Sequence, residues 1–181
     1  MIEIKNLSLA FGEKTVLDSF SLSIPERGIT ALSGPSGCGK TSLMRCIMAL
    51  ERPSGGAVEG ISPQECAILF QENRLLPWRT VREHLTDVLP AHCLGEVSQF
   101  LQLAQLEKEA DVYPAQLSGG MQRRLALARC LAMDARLYLL DEPFTGIDGE
   151  RIRLWMDYLH ALSVPVLLST HEPEVWPWPT V

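Results

Sequence analysis

The 181-residue sequence predicts an α/β fold in which helices pack on a parallel β-sheet. Short apolar runs of strand length recur at residues 29–32, 66–70, 137–140 and 165–168. Stretches with helical periodicity separate the later runs. A Gly-rich segment, residues 34–41, leads from the first run into a helix. Buried strands that alternate with helices are typical of a parallel sheet that is covered on its faces.

The N-terminal residues predict antiparallel strands beside this core. Residues 2–4, 7–9 and 20–24 alternate apolar and polar side chains, which is the period of a half-buried strand. The Gly-rich segment continues into a predicted helix over residues 41–50. A Pro-Ser-Gly-Gly turn follows at residues 53–56.

The middle of the chain predicts a helical insertion. Thr80 is a candidate N-cap with Glu83 three residues later, which is a capping box. Helical spacing of apolar residues follows at 99–106 and 120–133, and a further helix is predicted at 150–162. Prolines exclude regular structure at residues 176–179. We therefore expect one domain, residues 1–181, with a core of about residues 1–71 and 134–181 and a helical subdomain of about residues 72–133.

Composition and charge exclude several classes of protein. The net charge is −6, and the basic residues are scattered rather than clustered, which argues against nucleic-acid binding. No apolar stretch approaches the roughly 18 residues of a membrane span, and the N-terminus lacks the apolar core of a signal peptide. The 5 cysteines form no C-x-x-C pair, which favours free thiols in a reducing compartment. These features predict a cytoplasmic protein that reaches a membrane only through a partner.

The Gly-rich segment predicts a phosphate-binding loop. Residues 34–41 read GPSGCGKT and satisfy G-x-x-x-x-G-K-[ST] between a predicted strand and a predicted helix. Glycines let the backbone wrap around phosphate oxygens, and the N–H groups at the helix start favour an anion. Lys40 brings a positive charge to the β- and γ-phosphates, and Thr41 offers a hydroxyl to Mg²⁺. The expected ATP-binding residues are Gly34, Pro35, Ser36, Gly37, Cys38, Gly39, Lys40, Thr41 and Ser42.

An acidic pair follows a later strand. Residues 137–140 lead directly into Asp141 and Glu142, so both carboxylates lie at the carboxyl edge of the sheet, where ligands of open α/β folds bind. Asp141 can hold Mg²⁺, and Glu142 can act as the general base for an attacking water. Taken alone, the pair can also be two solvated acids that begin a loop.

A third motif identifies a family. Residues 117–124 read LSGGMQRR, and with the phosphate loop before it and the acidic pair after it the chain resembles the ATP-binding cassette (ABC) ATPases. The resemblance implies a P-loop NTPase fold: a RecA-like parallel-sheet core with N-terminal antiparallel strands and an inserted helical subdomain. Ser118 and the following glycines open a helix and offer a second anion site. The family closes this signature over the ATP of a second ABC ATPase domain, and a homodimer is expected. The signature residues are Leu117, Ser118, Gly119, Gly120 and Met121.

The resemblance, which extends from about residue 1 to 174, implies roles for four further residues. Phe11 resembles the aromatic residue that stacks on adenine, with a core aromatic as the alternative. Gln71 resembles the glutamine that contacts Mg²⁺ and the attacking water, and Asp148 the aspartate at the dimer interface. His171 resembles the switch histidine that contacts the γ-phosphate, and it joins Glu142 and Gln71 as a catalytic residue.

Two departures from the family pattern stand out. The signature ends Gln122-Arg123-Arg124, where many relatives have Arg-Gln-Arg. The sequence also ends soon after His171, whereas most relatives continue through further strands and helices. The expectation is that regulatory C-terminal parts are absent.

The residues after Gln71 indicate a branch of the family. FQ-x-x-RLLPW resembles the importer ATPases for nitrate, sulfonate and taurine, in which this region receives a helix of the membrane permease. Residues 75–78, Leu-Leu-Pro-Trp, would then be a docking surface. The alternative is that Leu75 and Trp78 pack inside the domain.

The expected function is therefore ATP hydrolysis that energises solute uptake. The resemblance implies ATP and Mg²⁺ as cofactors, a separate integral-membrane permease and a solute-binding protein as partners, and a location on the inner face of the cell membrane. A cassette ATPase that acts on nucleic acid or ribosomes is one alternative, and it would show a second cassette, an insert or basic surfaces. A non-catalytic, ATP-dependent dimerisation module is another, against which Glu142 and His171 argue.

Overall fold

The computed structural model describes residues 1–171 and Val175, so the predictions for residues 172–174 and 176–179 lie outside the described part. Its strands are β1 Ile2–Phe11, β2 Lys14–Ile24, β3 Gly28–Leu32, β4 Gly55–Glu59, β5 Cys66–Leu69, β6 Leu137–Asp141 and β7 Pro165–Ser169. Its helices are α1 Lys40–Ile47, α2 Val81–Thr86, α3 Val97–Ala104, α4 Gly119–Leu131 and α5 Gly149–Ala161. Short 3₁₀ turns occupy Pro63–Glu65, Ala91–Glu96 and Pro114–Gln116.

An antiparallel sheet of order β2-β1-β4 lies at the N-terminus, as predicted. The two predicted strands at residues 2–4 and 7–9 are one strand, whose pairing is irregular between Ile4 and Leu7. Asn6 adopts a left-handed φ of 48° at this irregularity. The extra residue shifts the inward face from even to odd positions, so that Ile4 and Leu7 are both buried.

The predicted turn at residues 53–56 is only partly correct, because Gly55 already begins β4. Gly56 has a φ of 83°, and a Cβ atom there would lie 2.4 Å from the carbonyl oxygens of Lys5 and Asn6 on β1. Glycine is therefore required for the close approach of the two strands, although paired glycines in a sequence usually indicate a turn.

The second sheet, of order β3-β7-β6-β5, is parallel throughout and confirms the predicted core. Every residue of β6 and β7 is buried, as expected for strands that are covered on both faces. Because all of its strands run the same way, their carboxyl ends meet at one edge. The segments that follow β3, β5, β6 and β7 therefore converge there.

Two apolar cores lie on the two faces of the parallel sheet. One face packs with α1 against the antiparallel sheet, through residues such as Leu43, Leu139 and Leu167. The opposite face packs against the later helices, through residues such as Leu140 and Trp155. Alternate residues of β6 and β7 belong to the two cores, so α1 and α5 pack on opposite faces of the sheet.

The residues between β5 and β6 form the three helices α2, α3 and α4. The predicted capping box at the start of α2 is confirmed, because the Glu83 N–H donates to Thr80 Oγ1 at 3.3 Å and the Thr80 N–H donates to Glu83 Oε2 at 2.7 Å. α3 and α4 begin and end within two residues of the predicted helices, whereas α2 ends already at Thr86. Across residues 1–171 and Val175, no helix has the length and apolar character of a membrane span.

Candidate nucleotide-binding site

A small cavity at the carboxyl edge of the parallel sheet collects residues from four separate segments. It measures about 170 Å³ and lies between the phosphate loop and the residues that follow β5, β6 and β7. A larger cavity of about 590 Å³ lies elsewhere, between α3 and α5, and none of the described residues that line it is a predicted site residue. Chemistry rather than size therefore identifies the site, which is lined by Ser36, Gly37, Gly39, Lys40, Thr41, Ser42, Gln71, Asp141, Glu142 and His171.

The phosphate loop connects β3 to α1 and shapes one wall of this cavity. Gly39 caps α1 with a φ of 106°, and a Cβ atom there would lie 3.0 Å from the Val16 carbonyl oxygen and from Leu17 Cδ2. Only glycine fits this position without strain. α1 begins at Lys40, so the N–H groups of its first turn are free of intrahelical partners and favour an anion.

The Lys40 ammonium is held over the loop. Its Nζ donates to the carbonyl oxygens of Gly34 at 2.7 Å and Pro35 at 3.2 Å. The side chain therefore places its charge beside the loop N–H groups, where phosphate oxygens can bind. Gly34, Pro35 and Cys38 belong to the loop but do not line the cavity.

The Asp141 carboxylate is buried and fixed by two hydroxyl groups. Thr41 Oγ1 donates to Oδ2 at 2.6 Å, and Ser169 Oγ donates to Oδ1 at 2.7 Å. Thr41 and Asp141 thus meet at the cavity, which Gln71 also lines, and the side-chain oxygen atoms of these residues are the hard donors that Mg²⁺ prefers. Ser169 is not among the predicted site residues. Its signal in the sequence is a hydroxyl at the end of a strand, two residues before His171.

Glu142 and His171 face each other across the cavity. The distance from Glu142 Oε1 to His171 Nε2 is 3.3 Å. Glu142 has a left-handed φ of 49°, and its N–H donates to the carbonyl and hydroxyl oxygens of Ser169, each at 3.1 Å. The carboxylate can accept a proton from a water in the cavity, and the imidazole, which is half exposed, can reach a bound phosphate.

Besides Gly34, Pro35 and Cys38, three further groups of predicted residues lie outside the cavity. Phe11 is at the end of β1 with 50% of its surface exposed, so the alternative of a core aromatic is wrong. Ser118 caps α4 by accepting from the Met121 N–H at 3.3 Å, and Ser118 and Gly119 are exposed. Asp148 caps α5 and is also exposed; its hydrogen bonds with Arg151 hold the pKa of the Asp148 carboxyl below its ordinary value.

The signature and the loop before Asp148 pack closely together. A Cβ atom on Gly120 would lie 2.7 Å from the Gly146 carbonyl oxygen, so only glycine allows this contact. The buried Leu117 anchors the start of the signature in the larger apolar core. The exposed helix start at Ser118 therefore faces away from the core and is free to contact another molecule.

Comparison with known proteins identifies the family. The family model described as "ABC transporter" matches residues 17–145. The sulfate/thiosulfate import ATP-binding protein CysA of Vibrio vulnificus is 39% identical over 196 aligned residues, which cover 96% of this chain and 57% of that protein. The probable counterpart in Chlorella vulgaris is 38% identical, with 94% of this chain and 80% of that protein covered. The chain thus spans little more than half the length of its bacterial relative.

Solved structures agree with this result. An ATP-binding subunit of an ABC transporter superposes with a TM-score of 0.85 at 25% identity, covering 94% of this chain and 79% of that one. A bacterial ABC transporter cassette, solved in a dimeric form, gives a TM-score of 0.82 at 27% identity over 97% of this chain and 90% of that one. The predicted P-loop NTPase fold is confirmed. The chain belongs to the ABC transporter family, as one of its ATP-binding cassettes.

Proposed function

We propose that the chain binds and hydrolyses Mg-ATP and thereby energises solute import through a separate membrane permease. The observation that supports hydrolysis is the single cavity that unites the phosphate loop, an Asp141 carboxylate held by Thr41, and the facing pair Glu142 and His171. A module that only binds ATP would not require a carboxylate placed beside the site of the γ-phosphate.

Each residue has a role in this mechanism. Lys40 and the loop N–H groups bind the β- and γ-phosphates, and His171 contacts the γ-phosphate. Thr41, Gln71 and Asp141 are the residues that would hold Mg²⁺, which when bound neutralises charge on the phosphate oxygens. Glu142 orients the attacking water and accepts its proton. Phe11, exposed at the end of β1, stacks on the adenine ring.

A second ABC ATPase domain completes the site. Ser118 and Gly119 open α4 toward solvent, separate from the cavity that carries the phosphate loop. A helix start that serves no ligand of its own chain can bind the phosphate of a partner's ATP. Asp148, exposed nearby, lies at the same interface. The dimeric state of the similar bacterial cassette supports this arrangement, and we infer a homodimer.

The permease docks beside Gln71, on the proposed helical subdomain of residues 72–133. Trp78 is 69% exposed, so the alternative that it packs inside the domain is wrong, whereas Leu75 does pack against the larger core. Leu76 is exposed as well. An exposed tryptophan and leucine next to a catalytic glutamine form the apolar surface that a permease helix requires.

The solute is a small oxyanion. The relatives named above are importers of sulfate or thiosulfate, whereas FQ-x-x-RLLPW resembles importers of nitrate, sulfonate and taurine, and that branch stays a prediction. These solutes share an anionic oxygen cluster, which a separate solute-binding protein would deliver. The cassette would work on the inner face of the cell membrane, where its permease is anchored.

Phosphate release from Mg-ATP by the purified chain tests the central claim. The wild type should release phosphate, a Lys40→Ala variant should lose nucleotide binding, and removal of Mg²⁺ with a chelator should stop turnover. Uptake of labelled sulfate in cells that carry the chain and its permease tests the import step. A wild type that binds ATP but releases no phosphate, alone or with the permease, would contradict the proposal.

A further inference from the structure

One buried arginine connects the two loops that carry Gln71 and Glu142. Arg123 lies on α4 and is only 3% exposed. All three nitrogen atoms of its guanidinium donate to groups at the ends of β5 and β6. Near the end of β5, Nη1 donates to Phe70 O at 2.8 Å, Gln71 O at 3.1 Å and Asn73 Oδ1 at 3.2 Å. Near the end of β6, Nη2 donates to Asp141 O at 2.6 Å and Glu142 O at 2.7 Å, and Nε donates to Pro143 O at 3.2 Å.

Different nitrogen atoms of Arg123 bind the two segments that carry the catalytic residues. Nη1 donates to the segment after β5, which carries Gln71, whereas Nη2 and Nε donate to the end of β6 and the residues directly after it, which include Asp141 and Glu142. A guanidinium is a rigid, planar fork with five N–H donors, so bonds to both segments fix the distance between them. A buried cation is tolerated only where such bonds satisfy it, which leaves the arrangement little freedom.

The residue type at this position decides how many of these bonds can form. Arg123 reaches six acceptor oxygens from three nitrogen atoms. A glutamine amide carries two N–H donors on a single nitrogen, so it cannot replace the bonds that the three nitrogens of the guanidinium make to both strand ends. The bridge seen here is thus a property of this sequence that the signature motif alone does not predict.

We propose that Arg123 is a positioning residue, which holds the backbones of Gln71 and Glu142 at a fixed separation and ties both to the helix that begins at Ser118. The inference rests on the proposed function. Glu142 needs such support because its left-handed backbone is strained and persists only where neighbours over-determine it. Ser169 binds the N–H of Glu142 and Arg123 binds its carbonyl, so the residue is held from both sides.

The connection has a consequence for communication between the two ATP sites. α4 begins at the exposed signature and carries Arg123 one turn later. A shift of the helix when the signature contacts the partner's ATP must therefore move the carbonyl groups of both loops. The contact at one nucleotide is thereby transmitted to the catalytic residues of the other, through a chain of defined hydrogen bonds.

Three substitutions and one control test this role. Arg123→Met removes every donor, Arg123→Gln retains donors for one strand end, and Arg123→Lys retains the charge without the fork. Arg124→Met is the matched control, because Arg124 is the next residue on α4, is also buried, and donates to the carbonyl oxygens of Ala104 and Gln105 rather than to either loop. Melting temperature, Kd for ATP, KM and kcat are measured for each variant.

The expected result is a selective loss of turnover. Arg123→Gln and Arg123→Met should lower kcat by roughly 10- to 100-fold, because a misplacement of about 1 Å can reduce a rate this much. The Kd for ATP should stay near the wild-type value, since Arg123 touches no residue of the phosphate loop. Arg123→Lys should recover part of the rate. Arg124→Met should lower the melting temperature and leave kcat per folded molecule unchanged.

Hydrogen exchange gives a second readout that needs no turnover. In Arg123→Gln, the amides of residues 70–73, 141 and 142 should exchange faster than in the wild type, while those of residues 34 and 36–41 should not change. The proposal is overturned if exchange in both loops is unchanged, or if kcat falls only as far as the folded fraction does. If Arg123→Met fails to fold, the glutamine and lysine variants decide. Loosened loops in a chain without ATPase activity would refute the proposed function and leave the positioning role standing.

Discussion

Glu142 occupies a backbone conformation that few side chains adopt. Its φ of 49° lies in the left-handed region, which is uncommon for residues other than glycine, asparagine and aspartate. Such outliers cluster at functional sites, where the surrounding contacts hold them. Here the Glu142 carboxylate lies 3.3 Å from His171 Nε2, whereas the Asp141 carboxylate accepts from Thr41 and Ser169, so the two adjacent acids contact different groups.

The Glu142→Gln variant should bind ATP and hydrolyse it about 10² to 10⁴ times more slowly than the wild type, which is the usual effect of losing a general base. Glutamine keeps the shape of the side chain but cannot accept the proton of the water. Phosphate release and nucleotide binding are measured on the same sample, with Glu150→Gln, an exposed acid on the first turn of α5, as the control. Near-normal turnover would exclude Glu142 as the base.

Ser169→Ala tests the hydroxyl that the motifs do not reveal. Ser169 is fully buried, and the change leaves one oxygen of the Asp141 carboxylate without its donor. We expect the free energy of unfolding to fall by about 1–3 kcal/mol and kcat to decrease. Denaturant unfolding and phosphate release measure the two effects, and Ser163→Ala, at an exposed position before β7, is the control. Unchanged stability would show that water replaces the hydroxyl.

At the scale of elements, the loop between β5 and α2 presents an exposed tryptophan that contributes little to stability. Trp78→Ala should leave the melting temperature and the ATPase rate of the isolated domain near the wild-type values, and it should weaken association with the permease and reduce uptake. Trp155→Ala is the matched contrast, since Trp155 on α5 is fully buried and its loss should destabilise the fold by about 3–5 kcal/mol. A large drop in melting temperature for Trp78→Ala would eliminate the docking surface.

His84 on α2 fixes this loop from the inside. The Leu76 N–H donates to Nε2 at 2.9 Å, so the ring is in the tautomer whose Nδ1–H donates to the Thr80 carbonyl at 2.7 Å. This pattern requires the neutral ring, and burial lowers the pKa of His84 below its ordinary value of 6.5. Protonation would remove the acceptor for Leu76.

The stability of the domain should therefore depend on pH through His84. Below a pH of about 6.5 the unfolded chain binds a proton that the folded ring does not, so stability falls as pH drops through that value toward the lowered folded-state pKa. His84→Gln should remove this component. Urea unfolding at about pH 7.5 and about pH 5.5 measures it, with the exposed His92→Gln as control. An equal loss of unfolding free energy between the two pH values in His84→Gln and the wild type would contradict the assignment to His84.

The elements that the sequence predicts well are those whose pattern is local. Thr80 and Glu83 indicate the start of α2. The apolar runs at residues 137–140 and 165–168 agree with β6 and β7 to within one residue. β4 is not predicted, because Gly55 and Gly56 indicate a turn in the sequence. Only their pairing with β1 makes them part of a strand. The first half of β2 lacks a regular alternation, and Ser19 within it has a left-handed φ of 48°.

The site residues likewise differ in whether a local sequence pattern reveals them. Lys40, Thr41 and Glu142 belong to contiguous motifs, so their chemistry is evident from spacing alone. Arg123 has no such signal, because its partners lie about 20 to 50 positions away along the chain and are backbone carbonyls, which every residue possesses. The exposure of Trp78 is equally invisible, since apolar loop residues can face either a core or a partner.

At the scale of the whole molecule, the exposed signature predicts a dimer that depends on nucleotide. Glu142→Gln should dimerise in Mg-ATP, because ATP that is not hydrolysed stays bound between the two domains. Ser118→Arg in that background should prevent dimerisation while ATP still binds the phosphate loop. Ser98→Arg, an equal change at an exposed site on α3, is the control. Sedimentation with and without Mg-ATP measures the outcome. A monomer under both conditions at high concentration would count against a homodimer.

The strand order β3-β7-β6-β5 also determines when the protein can first work during its synthesis. β3 and β6 do not pair with each other, because β7, the last strand of the described chain, lies between them. A nascent chain that has not yet released residues 165–169 from the ribosome therefore carries two unpaired sheet edges, which neighbouring nascent chains can bind. It also lacks Ser169, the hydroxyl that holds Asp141 in place. A complete nucleotide site thus requires residues 165–169, and the apolar sheet edges need shielding until those residues have left the ribosome.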